Sequence, residues 1–123
     1  LISHNGLSGN KTTSTASVQL RYGTKELEEA SCGDGPVDAV FKAIKKAVNI
    51  GDINLKDYQL KAITSGHDAL GEATVWIEKD GKIYSGRGLS TDVIEASVRA
   101  YIIAINKIVA AKDIKERKFQ GGI

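Results

Sequence analysis

A segment near the middle of this chain returns near its end at a constant spacing and without a gap. Val37-Asp38-Ala39-Val40-Phe41-Lys42-Ala43-Ile44 lines up with Ile94-Glu95-Ala96-Ser97-Val98-Arg99-Ala100-Tyr101, so the offset, 94 minus 37, is 57 residues. The same offset pairs Ser8-Gly9 with Ser65-Gly66, Ala16 with Ala73, Val18 with Val75, Lys25 with Lys82 and Ala47 with Ala104. Conservative pairs fill in around these: Ser17 with Thr74, Leu20 with Ile77, Val48 with Ile105. The identities are few, and two unrelated amphipathic segments are the competing explanation. One offset obeyed by both strand-like and helix-like stretches favours a duplication. Repeats at this scale dictate architecture, here two copies of one unit, with ligand or partner sites expected where the copies meet.

The residues within each copy follow one plan. Leu1 to Ser8 is partly apolar and reads as a strand, and Gly9 to Ser14 reads as a loop. Ala16, Val18, Leu20 and Tyr22 then alternate with Ser17, Gln19 and Arg21, the period of a strand with one buried face. Gly23-Thr24 is a hairpin turn, and Glu26 to Cys32 returns as a strand whose alternation is poor. Gly33-Asp34-Gly35-Pro36 stops that strand and opens a helix, since proline suits the first helical position. Val37, Val40, Phe41, Ile44 and Val48 form its apolar stripe, and Asn49 to Asp52 ends it.

The second copy repeats this order. Ile53 to Thr64 reads as a strand with Tyr58 and Leu60 on one face, and Ser65 to Asp68 as a turn. Ala73, Val75 and Ile77 point inward, while Thr74, Trp76 and Glu78 point outward. Asp80-Gly81 is a strong hairpin signal before the strand Ile83 to Gly88. Ser90, Thr91 and Asp92 offer helix caps, with box-like spacing from Asp92 to Glu95. Ile94, Val98, Tyr101, Ile102, Ile105, Ile108 and Val109 stripe a longer helix. The pattern predicts an α+β domain of two repeated βββα units with helices packed on a largely antiparallel sheet. The units span about 1–50 and 51–110, and 111–123 is a tail.

With 123 residues the chain fits one domain. Seventeen basic and fifteen acidic residues are interspersed, a mixed solvated surface with no basic stripe for nucleic acid. No apolar run is long enough for a bilayer, so neither nucleic acid nor membrane is expected as a partner. The single cysteine, Cys32, excludes an intrachain disulfide, fits a reducing compartment and reads as a small buried residue. The chain begins at Leu1 and contains no methionine, which points to a fragment, a processed product or a trimmed chain.

No catalytic constellation emerges. His4 and His67 have no second ligand at metal-binding spacing, and no G-x-S-x-G string occurs. Asp57, Asp68 and Glu72 read as solvated or capping carboxylates. The repeat-equivalent helix starts, Gly33 to Pro36 and Ser90 to Val93, carry more information. A helix N-terminus presents unpaired N–H groups and partial positive charge. Beside it Asp34 could accept from an ammonium group, and an apolar wall would complete what a free aliphatic amino acid requires. Ordinary caps in sharp turns are the alternative.

Several strings resemble the C-terminal regulatory domain of 2-isopropylmalate synthase and of the related citramalate synthases. They are Ser8-Gly9-Asn10, Gly33-Asp34-Gly35-Pro36-Val37-Asp38-Ala39, Leu55-Lys56-Asp57-Tyr58, the run from Ser65 to Ala73, and the run from Gly86 to Ser97. The resemblance covers roughly Leu7 to Lys107. It implies two three-strand-plus-helix units, a homodimer, and feedback inhibition by leucine, or by isoleucine for some citramalate synthases. It also implies a cytoplasmic parent enzyme of branched-chain amino-acid biosynthesis, which condenses acetyl-CoA with a 2-oxo acid in a TIM barrel using a divalent metal. That catalytic domain is a further expected partner. The chain itself would carry no cofactor, no metal and no catalytic residue.

Carried over by position, the resemblance implies effector contacts at Gly33, Asp34, Gly35 and Val37. Further contacts fall at Leu55, Tyr58 and Ala62, at Asp68 and Ala69, and at Leu89 and Thr91. Val37, Leu55, Ala62 and Leu89 would shape the apolar pocket. Asp34 stands where some relatives carry Asn, which would strengthen contact with an ammonium group. His67 receives no role. A dimerisation module that has lost effector binding is the reading from another class.

Overall fold

A computed structural model describes the backbone of residues 2–10, 15–65 and 68–121, and the side chains of 2–4, 15–63 and 69–112. Among the described residues eight elements follow one another: β1 (Ile2–Asn10), β2 (Thr15–Tyr22), β3 (Lys25–Cys32), α1 (Pro36–Val48), β4 (Asn54–Ser65), β5 (Asp68–Lys79), β6 (Lys82–Ser90) and α2 (Val93–Gly121). Adding the offset of 57 to the first residues of β3 and α1 gives the first residues of β6 and α2.

The strands divide into two antiparallel sheets, β1-β2-β3 and β4-β5-β6, in the same order. Each helix packs on the second and third strands of its own sheet. The two helices therefore do not share one continuous sheet. Helix α1 intervenes between β3 and β4, and among the described residues no ladder joins the two halves.

Alternation in β2 and β5 puts Ala16, Val18, Leu20, Ala73, Val75 and Ile77 under the helices, all at most 3% exposed. Helix α1 contributes Val40, Phe41 and Ile44, and α2 contributes Val98, Tyr101, Ile102, Ile105 and Ile108. Each large apolar side chain so buried contributes about 1.5–3 kcal/mol. Strand β3 alternates poorly because it is an edge. Leu27 packs against the core, whereas Glu29, on the same face, meets Lys46 of α1 at 3.5 Å. Cys32 is exposed rather than buried, because it shares the parity of Glu28 and Ala30, which face away from α1.

Glycine makes the two halves unequal. A Cβ on Gly86 or Gly88 would collide with the α2 backbone around Ala96, Ala100 and Ala104. Their repeat equivalents in β3 are Glu29 and Ser31. Helix α2 thus lies closer to its sheet than any side chain at those places would allow.

Turns follow local chemistry. Asp80 and Gly81 both take positive φ, 52° and 80°, as a two-residue type I′ hairpin requires. Asn49 closes α1 in the left-handed region, and its N–H donates to the Lys45 carbonyl at 3.2 Å. The Ser65 to Asp68 segment is tighter than a four-residue turn, since Ser65 and Asp68 already pair; Gly66 and His67 lie outside the described residues. Helix α2 runs on through the expected tail to Gly121.

The halves also interlock. The Ile2 N–H donates to Asn106 Oδ1 at 2.7 Å, and Asn106 Nδ2 donates to the Ile2 carbonyl at 3.1 Å. His4 Nε2 lies 2.9 Å from Glu95 Oε1. Strand β1 of the first unit is thereby fastened to α2 of the second.

Candidate effector site at the start of the first helix

Pro36 is the first residue of α1, and Gly35 precedes it in extended conformation, φ −167° and ψ 174°. Any residue can adopt that backbone, and a Cβ on Gly35 would meet nothing within 4 Å. No side chain caps this terminus. The Gly35 carbonyl accepts from the Ala39 N–H at 2.9 Å, which starts the helical ladder. Because proline has no N–H, Val37 and Asp38 carry the first free donors of the helix.

The preceding loop is folded onto this turn. A Cβ on Gly33 would stand 2.5 Å from the Ala39 nitrogen and from Asp38 Oδ2, so glycine is required there. The Asp34 N–H donates to Asp38 Oδ2 at 2.9 Å, and Lys42 Nζ meets the same oxygen at 3.0 Å. The Asp34 N–H, then Lys42, hold the Asp38 carboxyl below its usual range, and Asp38 in turn raises Lys42. Among the described residues, the exposed Asp34 carboxylate makes no hydrogen bond.

The second helix starts differently. Asp92, the repeat equivalent of Gly35, accepts from the N–H of Ile94 at 2.8 Å and of Glu95 at 3.4 Å. Its own N–H donates to Ser90 Oγ at 3.1 Å. Only one half of the expected capping box forms, because the Glu95 carboxylate turns to His4 and Arg99 instead. Helix α2 is closed by its own chain, and Thr91 lies exposed in that turn.

An apolar surface comes from β4. A bulge between Leu55 and Asp57 shifts the register, so Leu55 pairs with Ile77, Tyr58 with Val75 and Ala62 with Gly71. All three therefore share the helix-facing side. Helix α2 lies over β5 and β6, which leaves β4 as an uncovered edge with Leu55 45% exposed. Tyr58 is the exception. Its ring meets the edge of Phe41 at 5.6 Å, Phe41 stacks on Tyr101 at 4.5 Å, and its hydroxyl lies 2.6 Å from Ser97 Oγ. Val37, one turn before Phe41, packs against the same core.

Leu89 stands apart. It pairs with Glu72, so it lies on the outer face of the second sheet, opposite to Leu55, Tyr58 and Ala62. A single chain does not bring it into one wall with them. Ala69 is exposed and pairs with Thr64 near the hairpin end; the side chain of Asp68 lies outside the described residues. A shallow depression of about 330 Å³ is lined by Lys42, Lys45, Lys46, Asn49 and Gly51, residues that do not include the predicted contacts. Among the described residues, no three His, Cys, Asp or Glu side chains converge to hold a metal, and no helix is long and apolar enough to cross a membrane.

The family model of the LeuA allosteric (dimerisation) domain matches residues 1–109. The chain belongs to this family. Among similar proteins, a 2-isopropylmalate synthase of Clostridium kluyveri is 58% identical over 100 residues, 81% of this chain and 19% of that protein. Those of Heliobacterium modesticaldum and Pyrococcus furiosus are each 50% identical over 102 residues, 83% of this chain and 20% of theirs. The chain thus spans about a fifth of the length of these relatives. It is an allosteric and dimerisation domain of the kind these synthases carry, built from the two βββα units described above.

Two features of this LeuA domain escaped the sequence reading. Asp38, read as one member of the repeat, organises the loop before α1. Ser97 sits 1% exposed inside an apolar stripe and donates to the Val93 carbonyl at 2.7 Å. The signal for Ser97 was present: a hydroxyl among Ile94, Val98 and Tyr101, where the first repeat has Val40.

Proposed function

We propose that this domain senses the end product of branched-chain amino-acid synthesis, with leucine as its effector, and transmits it as feedback inhibition. The effector's carboxylate would lie against the free N–H groups of Val37 and Asp38, where the helix field favours an anion. The Asp34 carboxylate would receive the ammonium group. The side chain would lie against Val37 and the β4 surface of Leu55 and Tyr58. Leu89, on the other sheet face, fits such a site only through a second copy, consistent with a domain that dimerises.

The observation that supports this reading is the contrast between the two helix starts. Asp92 fills one, while Gly35 leaves the other open. The parent would be an acetyl-CoA-dependent synthase whose divalent metal and catalytic barrel belong to residues beyond this domain. Isoleucine is the alternative effector, as in citramalate synthases, because moving one methyl group changes affinity by only about 1–3 kcal/mol in an apolar pocket.

Calorimetric titration of the domain with leucine, isoleucine and valine tests the proposal. Binding of one of them, lost in Gly35→Asn, supports it. An open space and an extended backbone admit that side chain, which would cap α1 without adding charge. A folded dimer that takes up none of the three would instead be a dimerisation module without effector binding.

A further inference from the structure

Tyr58 touches both helices. Its ring lies perpendicular to that of Phe41 of α1, and its hydroxyl meets Ser97 of α2 at 2.6 Å. Proton accounting fixes the direction of the second contact. Ser97 gives its hydroxyl proton to the carbonyl of Val93, the first residue of α2, so the Tyr58 hydroxyl donates to Ser97 Oγ. Ser97 is buried, so an oxygen that loses Tyr58 has no water at hand to replace it.

The surroundings make this contact transmit movement. Phe41 is one helical turn below Val37 on the same face of α1, and it also stacks on Tyr101 of α2. Helix α2 lies with its backbone against Gly86 and Gly88, so it has little room to absorb a displacement locally. Helix α1 meets a glycine this closely at Gly33, against Ala39 in its first turns, whereas β2 and β3 beneath it carry none. A first turn that tightened around a ligand would move α1, and Phe41, in contact with Tyr58, would carry that movement to it.

We infer that Ser97 is a positioning residue that couples the start of α1 to the start of α2 through the Tyr58 hydroxyl. Keeping or breaking the Tyr58–Ser97 hydrogen bond is the two-state element, and the first turn of α2 is its output. This inference rests on the effector reading of α1.

Hydrogen exchange of the amides from Ile94 to Val98, with and without leucine, tests it in the intact domain, alongside calorimetry. In the unaltered domain, leucine should change exchange in α1 and in the first turn of α2. In Ser97→Ala, leucine should still bind, within about tenfold of the original affinity for the loss of one hydrogen bond. The change in exchange should then remain confined to α1. Ser97→Thr, which keeps the oxygen, should restore the response in α2. An unaltered α2 response in Ser97→Ala overturns the coupling, as does a Ser97→Thr domain that binds leucine yet stays silent in α2. Leucine binding to the unaltered domain with no response in α2 overturns the coupling alone. Absence of leucine binding to the unaltered domain overturns it together with the effector reading.

Discussion

Gly35 and Asp92 occupy the same place in the two repeats, immediately before the first residue of α1 and α2, and only Asp92 caps its helix. A duplicated fold has thus kept one helix start closed and one open. The open one follows a loop tied down by Asp38, and Phe41, further along the same helix, meets Tyr58 of the edge strand β4.

Exchanging the two caps should separate stability from binding. Gly35→Asn should stabilise the domain by roughly 0.5–1 kcal/mol, through a cap and a less flexible unfolded chain. The melting temperature should rise by roughly 2–4 °C. Asp92→Ala should cost about 1 kcal/mol and leave leucine binding intact. Urea unfolding and calorimetry on both variants check this, and a Gly35→Asn domain that binds leucine normally would remove α1 from the site.

Glycines under the helices should behave unlike Gly35. Gly33→Ala, Gly86→Ala and Gly88→Ala force a methyl group against helix backbone, which cannot swing aside, and should each cost about 1–3 kcal/mol or more. Gly35→Ala, facing open space, should change the urea midpoint little. Equal midpoints across all four variants would contradict the close packing of α2.

Acid should loosen the start of α1 first. The folded Asp38 carboxyl titrates below its ordinary value of 3.8, so its stabilising contribution is present above that pH. It is lost as pH falls through the lower folded value. The urea-midpoint difference between the unaltered domain and Asp38→Asn should be constant near neutrality and vanish in strong acid. Carboxyl titration by NMR reads the same shift directly, and an Asp38 that titrates at or above 3.8 would refute it.

Alkali should act through the aromatic cluster. Burial raises the phenol of Tyr58 and raises Tyr101 further. Groups raised in the folded state stabilise fully below the unfolded value near 10 and lose that contribution as pH rises toward the folded value. Unfolding above pH 10 should therefore be steep, and Tyr58→Phe should make it shallower. Ultraviolet titration of the phenolates checks the order, with Tyr101 last.

Dimerisation should report on Trp76. It is half-buried on the outer face of the second sheet, opposite Asp57 and Ser85, the face that also carries Leu89. If this face meets a second copy, Trp76 emission should shift to the red on dilution, and Trp76→Ala should move sedimentation toward the monomer. Emission that does not change across the dissociation range would place the interface elsewhere.

The sequence by itself determined the repeat, the helix starts and the buried faces of β2 and β5, because an offset and a period are properties of residue order. It also carried the family strings and the difference between Gly35 and Asp92, since both are written locally. Only the tertiary structure decided that the strands form two sheets, because ladder pairing depends on which edges meet after α1 has crossed over. The bulge at Lys56 that turns Leu55 and Tyr58 to one side was equally hidden, since one extra residue inverts strand parity and leaves no mark in the period. Leu89 fell on the opposite face for the same reason of parity. Ser97 meeting Tyr58, and Gly86 and Gly88 meeting α2, are contacts between residues far apart in the chain. They exist only once packing has brought those surfaces to within a few ångströms of each other.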